Sequence, residues 1–181
     1  MPQVKITKRA HRWDDLFKLV LDVESYPGFV PHCRQVKLLS RTENSADTII
    51  VSRMTVGLSA LQVSYANRTN GDFAARTIKV EAIDGPLRQL RAVWRFHPEK
   101  DDRTRIDFSA DFEFSSVILA AVASRVFSSM FGAIVNAFER RVDHVFGRRL
   151  NPGRSPELDH RVVHSSGRAM RTRTLRRSDR Q

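Results

Sequence analysis

From Arg34 to Phe114 apolar and polar side chains alternate in one short segment after another, and over residues 117–147 the period lengthens to that of a helix. The clearest segment, RIDFSADFEF, sets Ile106, Phe108, Ala110, Phe112 and Phe114 on one side, with Asp107, Ser109, Asp111 and Glu113 on the other. Five more read the same way. VKLLSRT is the first. TIIVSRMTVG places Ile50, Ser52, Met54 and Val56 on one face, and LQVSYANRT does so for Leu61, Val63 and Tyr65. RTIKVEAI aligns Ile78, Val80 and Ala82, and LRQLRAVWRFH aligns Leu90, Ala92, Trp94 and Phe96. The links NSAD, NGD, DGP and PEKDD carry turn residues. Consecutive strands joined by short polar turns predict an antiparallel meander.

A sheet with one apolar face needs a cover. Residues 117–147 lack proline and repeat Leu119, Val122, Val126, Met130, Ile134, Phe138, Val142 and Val145 along one stripe. Arg125, Ser129, Gly132, Asn136, Arg140 and Asp143 lie opposite. This predicts one amphipathic helix of about 30 residues, roughly 45 Å long, with Ser115 or Ser116 as its cap. Before the meander, QVKITKRA reads as a strand, and Trp13, Leu16, Phe17, Val20 and Leu21 predict a short helix from about Asp14 to Val23. The expected fold is therefore α+β: a curved antiparallel sheet of about seven strands wrapped on a long C-terminal helix. Between them lies an apolar volume lined by Met54, Tyr65, Trp94, Phe96, Phe108, Phe112, Met130 and Phe138. These residues can form a plain packed core or the wall of a cavity.

Between the short helix and the meander stands ESYPGFVPHC, residues 24–33. Pro27 and Pro31 bias the residues before them away from helix, so the stretch reads as a turn-rich lid or crossover. After Leu150 periodicity stops. The segment 151–181 is rich in Pro, Gly, Ser and Arg; eight arginines against Glu157, Asp159 and Asp179 put +5 of the chain's net +11 there. Such a composition predicts a disordered basic tail appended to a domain spanning 1–150. The opening residues lack a secretory apolar core, and no apolar run nears the roughly 18–20 residues of a bilayer span. With one cysteine there is no internal disulfide. A cytoplasmic protein is the expectation.

Catalytic signatures are few. The sequence has no G-x-S-x-G, phosphate-binding loop, dinucleotide fingerprint or H-E-x-x-H. His32 and Cys33 are adjacent without a matching ligand pair, which favours a buried structural cysteine over a metal site. Asp101 and Asp102 fall in a turn. Asp107, Asp111 and Glu113 fall on the solvent face. His144, late in the long helix, suits the helix dipole. The inward face offers Ser52, Tyr65 and Thr48, and a lone tyrosine is a poor general base at neutral pH. No catalytic residue, catalytic cofactor or metal is expected.

LVLDVESYPGFVPHC is close to Asp-Val-x-x-Tyr-Pro-x-Phe-Val-Pro-x-Cys, and ADFEFSSVILAAVASRVF runs the last strand into the long helix. With the strand order, these segments resemble the START-like (polyketide cyclase/dehydrase) superfamily over about residues 2–148. Within it the chain resembles the coenzyme Q-binding proteins, a family that also holds a bacterial ribosome-association toxin. That family often has tryptophan where this chain has His32, which makes the mouth more polar here. The resemblance implies a helix-grip fold whose cavity takes ubiquinone or a related polyprenyl quinone, in support of respiratory electron transport. With it, Tyr26, Phe29 and Val30 are expected to rim the mouth on a path fixed by Pro27 and Pro31, the alternative being a well-packed corner with Phe29 plugging the core, and Val126 joins the lining named above. The basic tail would serve the inner-membrane surface. In the toxin branch the partner would be the ribosome.

Overall fold

The structure, a computed structural model, describes the backbone over residues 3–8, 11–58, 61–147 and 161–163, and side chains over 11–57, 62–116 and 132–147. The elements are β1 (Gln3–Lys8), α1 (Trp13–Leu21), a 3-10 helix (Val23–Gly28), β2 (Cys33–Glu43), β3 (Asp47–Leu58), β4 (Leu61–Asp72), β5 (Thr77–Asp84), β6 (Leu87–Pro98), β7 (Thr104–Phe114), α2 (Val117–Phe146) and β8 (Arg161–Val163). They build one antiparallel sheet in the order β2-β3-β4-β5-β6-β7-β1-β8. The meander is thus realised in sequence order, and the first strand returns to pair with the last long one.

Register decides which side chains share a face. Ile78 stands opposite Trp94 and Trp94 opposite Phe108, while Phe96 stands opposite Ile106. All five are buried, together with Leu16, Phe17, Val20 and Leu21 of α1 and Val135, Phe138 and Val142 of α2. Ridges at helical spacing from both helices therefore close on the same sheet face. Thr104, 1% exposed, donates its hydroxyl to the His11 carbonyl at 2.8 Å and ties the β1–α1 link to β7.

Several expectations are corrected. Asn70-Gly71-Asp72 is the end of β4, and the turn is Phe73–Arg76. A side chain on Gly71 would meet both Leu21 Cδ atoms at 3.1 Å and Phe17 Cζ at 3.2 Å, so the glycine lets α1 lie close to the strand. Asp72 instead accepts the Ala75 N–H at 2.7 Å and starts the turn from the strand end. The short helix stops at Leu21, not Val23, and the proline stretch winds into a 3-10 helix with Pro27 inside it. So short a 3-10 helix tolerates that proline because it forgoes one donor only. Ser116 occupies the α2 N-cap position without a side-chain capping bond. Val145 is 47% exposed, whereas its neighbour Phe146 sits 5.7 Å from the His11 ring. Asp107 is half-buried, with Oδ2 2.9 Å from His97 Nε2. Within the segment read as disordered, Arg161–Val163 pairs with Gln3–Lys5. Two valines need no core to form such a strand, only the otherwise open edge of β1. Residues 148–160 and 164–181 lie outside the described residues.

Candidate ligand-binding site

The inner sheet face has two zones. Toward α1 the described apolar side chains Ile50, Ile78, Trp94, Phe96, Ile106 and Phe108 are all buried. Toward the other end the same face carries Val36, Leu38, Met54, Tyr65, Val80, Ala82, Leu90 and Phe112, and all of these are only half-buried. The register groups them: Val36–Met54–Tyr65 form one row, Leu38 and Ala82 flank the buried Ser52–Asn67 pair on the next, and Leu90 stands opposite Phe112. α2 leaves β7 at this end, since Phe114 closes the strand and Val117 opens the helix. The expected lining residues Val126 and Met130 lie on this first part of α2, and their side chains are outside the described residues.

The 3-10 helix is held at the boundary of the two zones. Tyr26 donates its hydroxyl to the Val20 carbonyl at 2.5 Å. Its ring lies edge-on to Phe29 and Phe138 at 5.7 and 5.4 Å. Phe29 meets Phe138 at 5.1 Å, and Arg141 caps the Phe29 ring at 5.4 Å. Phe138 continues to Trp94 at 5.3 Å, and Trp94 stacks on Phe108 at 4.0 Å. Five of the expected site residues are thus one packed aromatic chain, in which the three contacts among Tyr26, Phe29 and Phe138 have the edge-on geometry that ring quadrupoles favour. Val30 packs beside them, Pro31 is half-buried and Pro27 is exposed. Phe96 sits apart, 3% exposed and 5.4 Å from Phe17 under α1. Phe112 lies edge-on to Phe114 at 5.6 Å.

Polar groups on the inner face are of two kinds. Ser52 is 0% exposed, Asn67 3% and Thr69 2%. Ser52 donates to Asn67 Oδ1 at 3.1 Å, and Thr69 does so at 3.5 Å. Asn67 and Thr69 escape notice in the sequence, yet they only continue the alternation of Val63 and Tyr65. The second kind is Tyr65, half-buried, whose hydroxyl donates to Met54 Sδ at 3.2 Å. Burial pushes its phenol up to about 12. Burial likewise raises the Tyr26 phenol strongly and lifts the Cys33 thiol to about 11. All three stay protonated at neutral pH, so none supplies a base or a thiolate. Among the described residues no group of three or more His, Cys, Asp or Glu could hold a metal, and no helix is long and apolar enough to cross a membrane.

A helix gripped by a curved antiparallel sheet is the fold this chain shares with a START superfamily protein from Mycobacterium smegmatis, 17% identical, with a TM-score of 0.64, covering 80% of this chain and 99% of that one. The chain belongs to the family described as polyketide cyclase / dehydrase and lipid transport, which it matches over residues 10–139. It is similar to the ribosome association toxin RatA of Rickettsia prowazekii, 32% identical over 133 residues, covering 72% of this chain and 88% of the toxin. It is also similar to the coenzyme Q-binding protein COQ10 homolog B, mitochondrial, of Xenopus laevis, 28% identical, covering 77% of this chain and 57% of that protein. Among solved structures, the 18 kDa protein CC1736 from Caulobacter crescentus is 33% identical, with a TM-score of 0.64, covering 81% of this chain and 99% of that one.

Proposed function

We propose that this protein binds a hydrophobic isoprenoid lipid, in the first place ubiquinone, between the half-covered sheet zone and α2, and carries it in support of respiratory electron transport without transforming it. The single observation behind this reading is the set of apolar side chains from Val36 to Phe112 that stay half-buried at one end of an inner face whose other end is lined by buried ones. Apolar surface left partly uncovered inside a fold costs about 25 cal/mol per Å², and an apolar guest recovers that cost. The similarity to a coenzyme Q-binding protein supports the choice of guest. A non-catalytic role is supported by three neutral, protonated groups where a proton-transfer catalyst would need a poised base. The protein works in the cytoplasm, and the tail arginines draw it to the anionic inner-membrane surface.

The test is mass spectrometry of an organic extract of protein purified from a quinone-producing host. The expected result is a polyprenyl quinone at a substantial fraction of one per chain; phospholipid in its place, or no lipid, sinks the reading.

A second reading is ribosome association that blocks subunit joining, favoured by the similarity to RatA across 88% of that toxin. Co-sedimentation with separated ribosomal subunits tests it. A protein that stays in the supernatant at low salt, where charge attraction to RNA is greatest, rules it out.

A further inference from the structure

Each polar side chain of the inner face can be asked what it still has to offer a guest. Ser52, Asn67 and Thr69 are closed to one: they bond among themselves and are at most 3% exposed. The Tyr26 hydroxyl is committed to the Val20 carbonyl at 2.5 Å. Tyr65 differs. It stands half-buried in the uncovered zone, and a phenolic O–H, a strong donor, is given there to a thioether sulfur at 3.2 Å. Sulfur of that kind is a weak acceptor, so the bond returns little of what a phenol loses on leaving water. A carbonyl oxygen in the same place would do better, and Met54 can yield because its unbranched side chain repacks easily.

The site around this hydroxyl is rigid where it needs to be. The Tyr65 backbone is paired to Met54 on one side, and Gly85 of the β5–β6 turn presses against the other, so close that an added side chain would come within 2.8 Å of Tyr65 Cα. Cys33, at the end of the proline stretch, lies near enough to bear on the ionisation of both Tyr26 and Tyr65. The half-buried apolar side chains Ala82, Leu90 and Phe112 stand on the same sheet face, on the strands beyond β4.

We propose that Tyr65 is the head-group donor of the lipid site: its hydroxyl exchanges the Met54 sulfur for a ring carbonyl oxygen of the quinone, and the isoprenoid tail runs past Ala82 and Leu90 toward Phe112. The idea rests on the lipid-binding reading and adds to it an orientation and a basis for selecting carbonyl-bearing lipids over plain hydrocarbons. A phenol that burial keeps protonated is a donor throughout the physiological pH range.

The experiment measures binding of two probes, a short-chain ubiquinone and squalene, to the full chain, to Tyr65→Phe and to Met54→Leu. Wild type should bind both. Tyr65→Phe should bind the ubiquinone on the order of fivefold to tenfold more weakly and squalene equally well, as expected for one lost hydrogen bond. Met54→Leu removes the competing acceptor and should bind the ubiquinone at least as tightly as wild type. Infrared spectra of the bound ubiquinone should show a carbonyl stretch lowered in wild type and restored in Tyr65→Phe. If wild type binds ubiquinone and Tyr65→Phe matches it, or loses both probes alike, the donor role is overturned while lipid binding stands. If Met54→Leu binds the ubiquinone more weakly, the exchange is overturned even should Tyr65→Phe not fold. If wild type binds neither probe, the lipid reading falls, and this inference with it.

Discussion

At the scale of single residues, Gly85 and Cys33 make sharp tests. Gly85 has φ +114, and an added Cβ would meet Tyr65 Cα and Cβ at 2.8 Å and the Ser64 carbonyl at 2.9 Å. These are backbone atoms or side-chain roots and cannot swing aside. Gly85→Ala should therefore lose about 2–4 kcal/mol in urea titrations, from strain and overpacking together. A melt unchanged from wild type would refute the close approach. Cys33 tests burial. Its thiol is lifted from 9.0 to about 11, so the folded chain keeps a proton that the unfolded chain gives up. The stability tied to that proton is fully present below pH 9 and drains away as pH rises through 11. Thermal melts should show wild type losing stability over that window faster than Cys33→Ala, and alkylation of the native thiol at pH 8 should wait on unfolding.

Among elements, the grip of α2 on the sheet passes through Phe138, which touches Tyr26, Phe29 and Trp94 at once. Phe138→Ala should cost about 3–5 kcal/mol, the range for a buried phenylalanine. Phe29→Ala removes a half-buried ring from the same chain and should cost about 1–2 kcal/mol while speeding lipid release, read by stopped-flow transfer to acceptor vesicles. Equal losses in the two variants, with no change in release, would make the 3-10 helix a plug and not a lid. The proline stretch shows why this was only half visible in the chain. Pro27 and Pro31 announce that the path is irregular. Whether Phe29 rims an opening or seats on a helix more than one hundred positions later is a matter of distant packing. Asn70-Gly71-Asp72 misleads for a related reason: a glycine that spares a turn and a glycine that admits a helix look alike in sequence.

For the whole molecule, the question is what the basic tail does for the domain it follows. β8 covers only Gln3–Lys5 of β1, while β7 pairs β1 along all six residues. A chain ending at Leu150 should therefore stay folded and hold its lipid, with a fall in melting temperature of a few degrees from the bared edge. It should lose attraction to anionic liposomes, an effect of at most about 1 kcal/mol per arginine that fades with salt. Sedimentation of full-length and shortened chains with anionic and neutral vesicles measures this. Unfolding of the shortened chain would place the domain boundary elsewhere, and unchanged liposome binding would remove the membrane role.

The order of the elements was legible in the sequence because alternation and helical spacing are properties of neighbouring residues. Strand alternation from Val36 to Phe114, the long C-terminal helix and the antiparallel order all follow from patterns a few residues long. So did the face on which Met54, Tyr65, Trp94 and Phe108 would point. What the tertiary structure alone decided is how deeply each of those faces is covered. Trp94 and Tyr65 alternate identically in their strands, yet Phe108 and Phe138 pack on the first while the second stays half-open. Asn67 and Thr69 could be placed inward by counting, but their closure into a bonded trio with Ser52 required the pairing of β3 with β4. Covering is the work of segments far away in the chain, and only folding brings them within van der Waals reach.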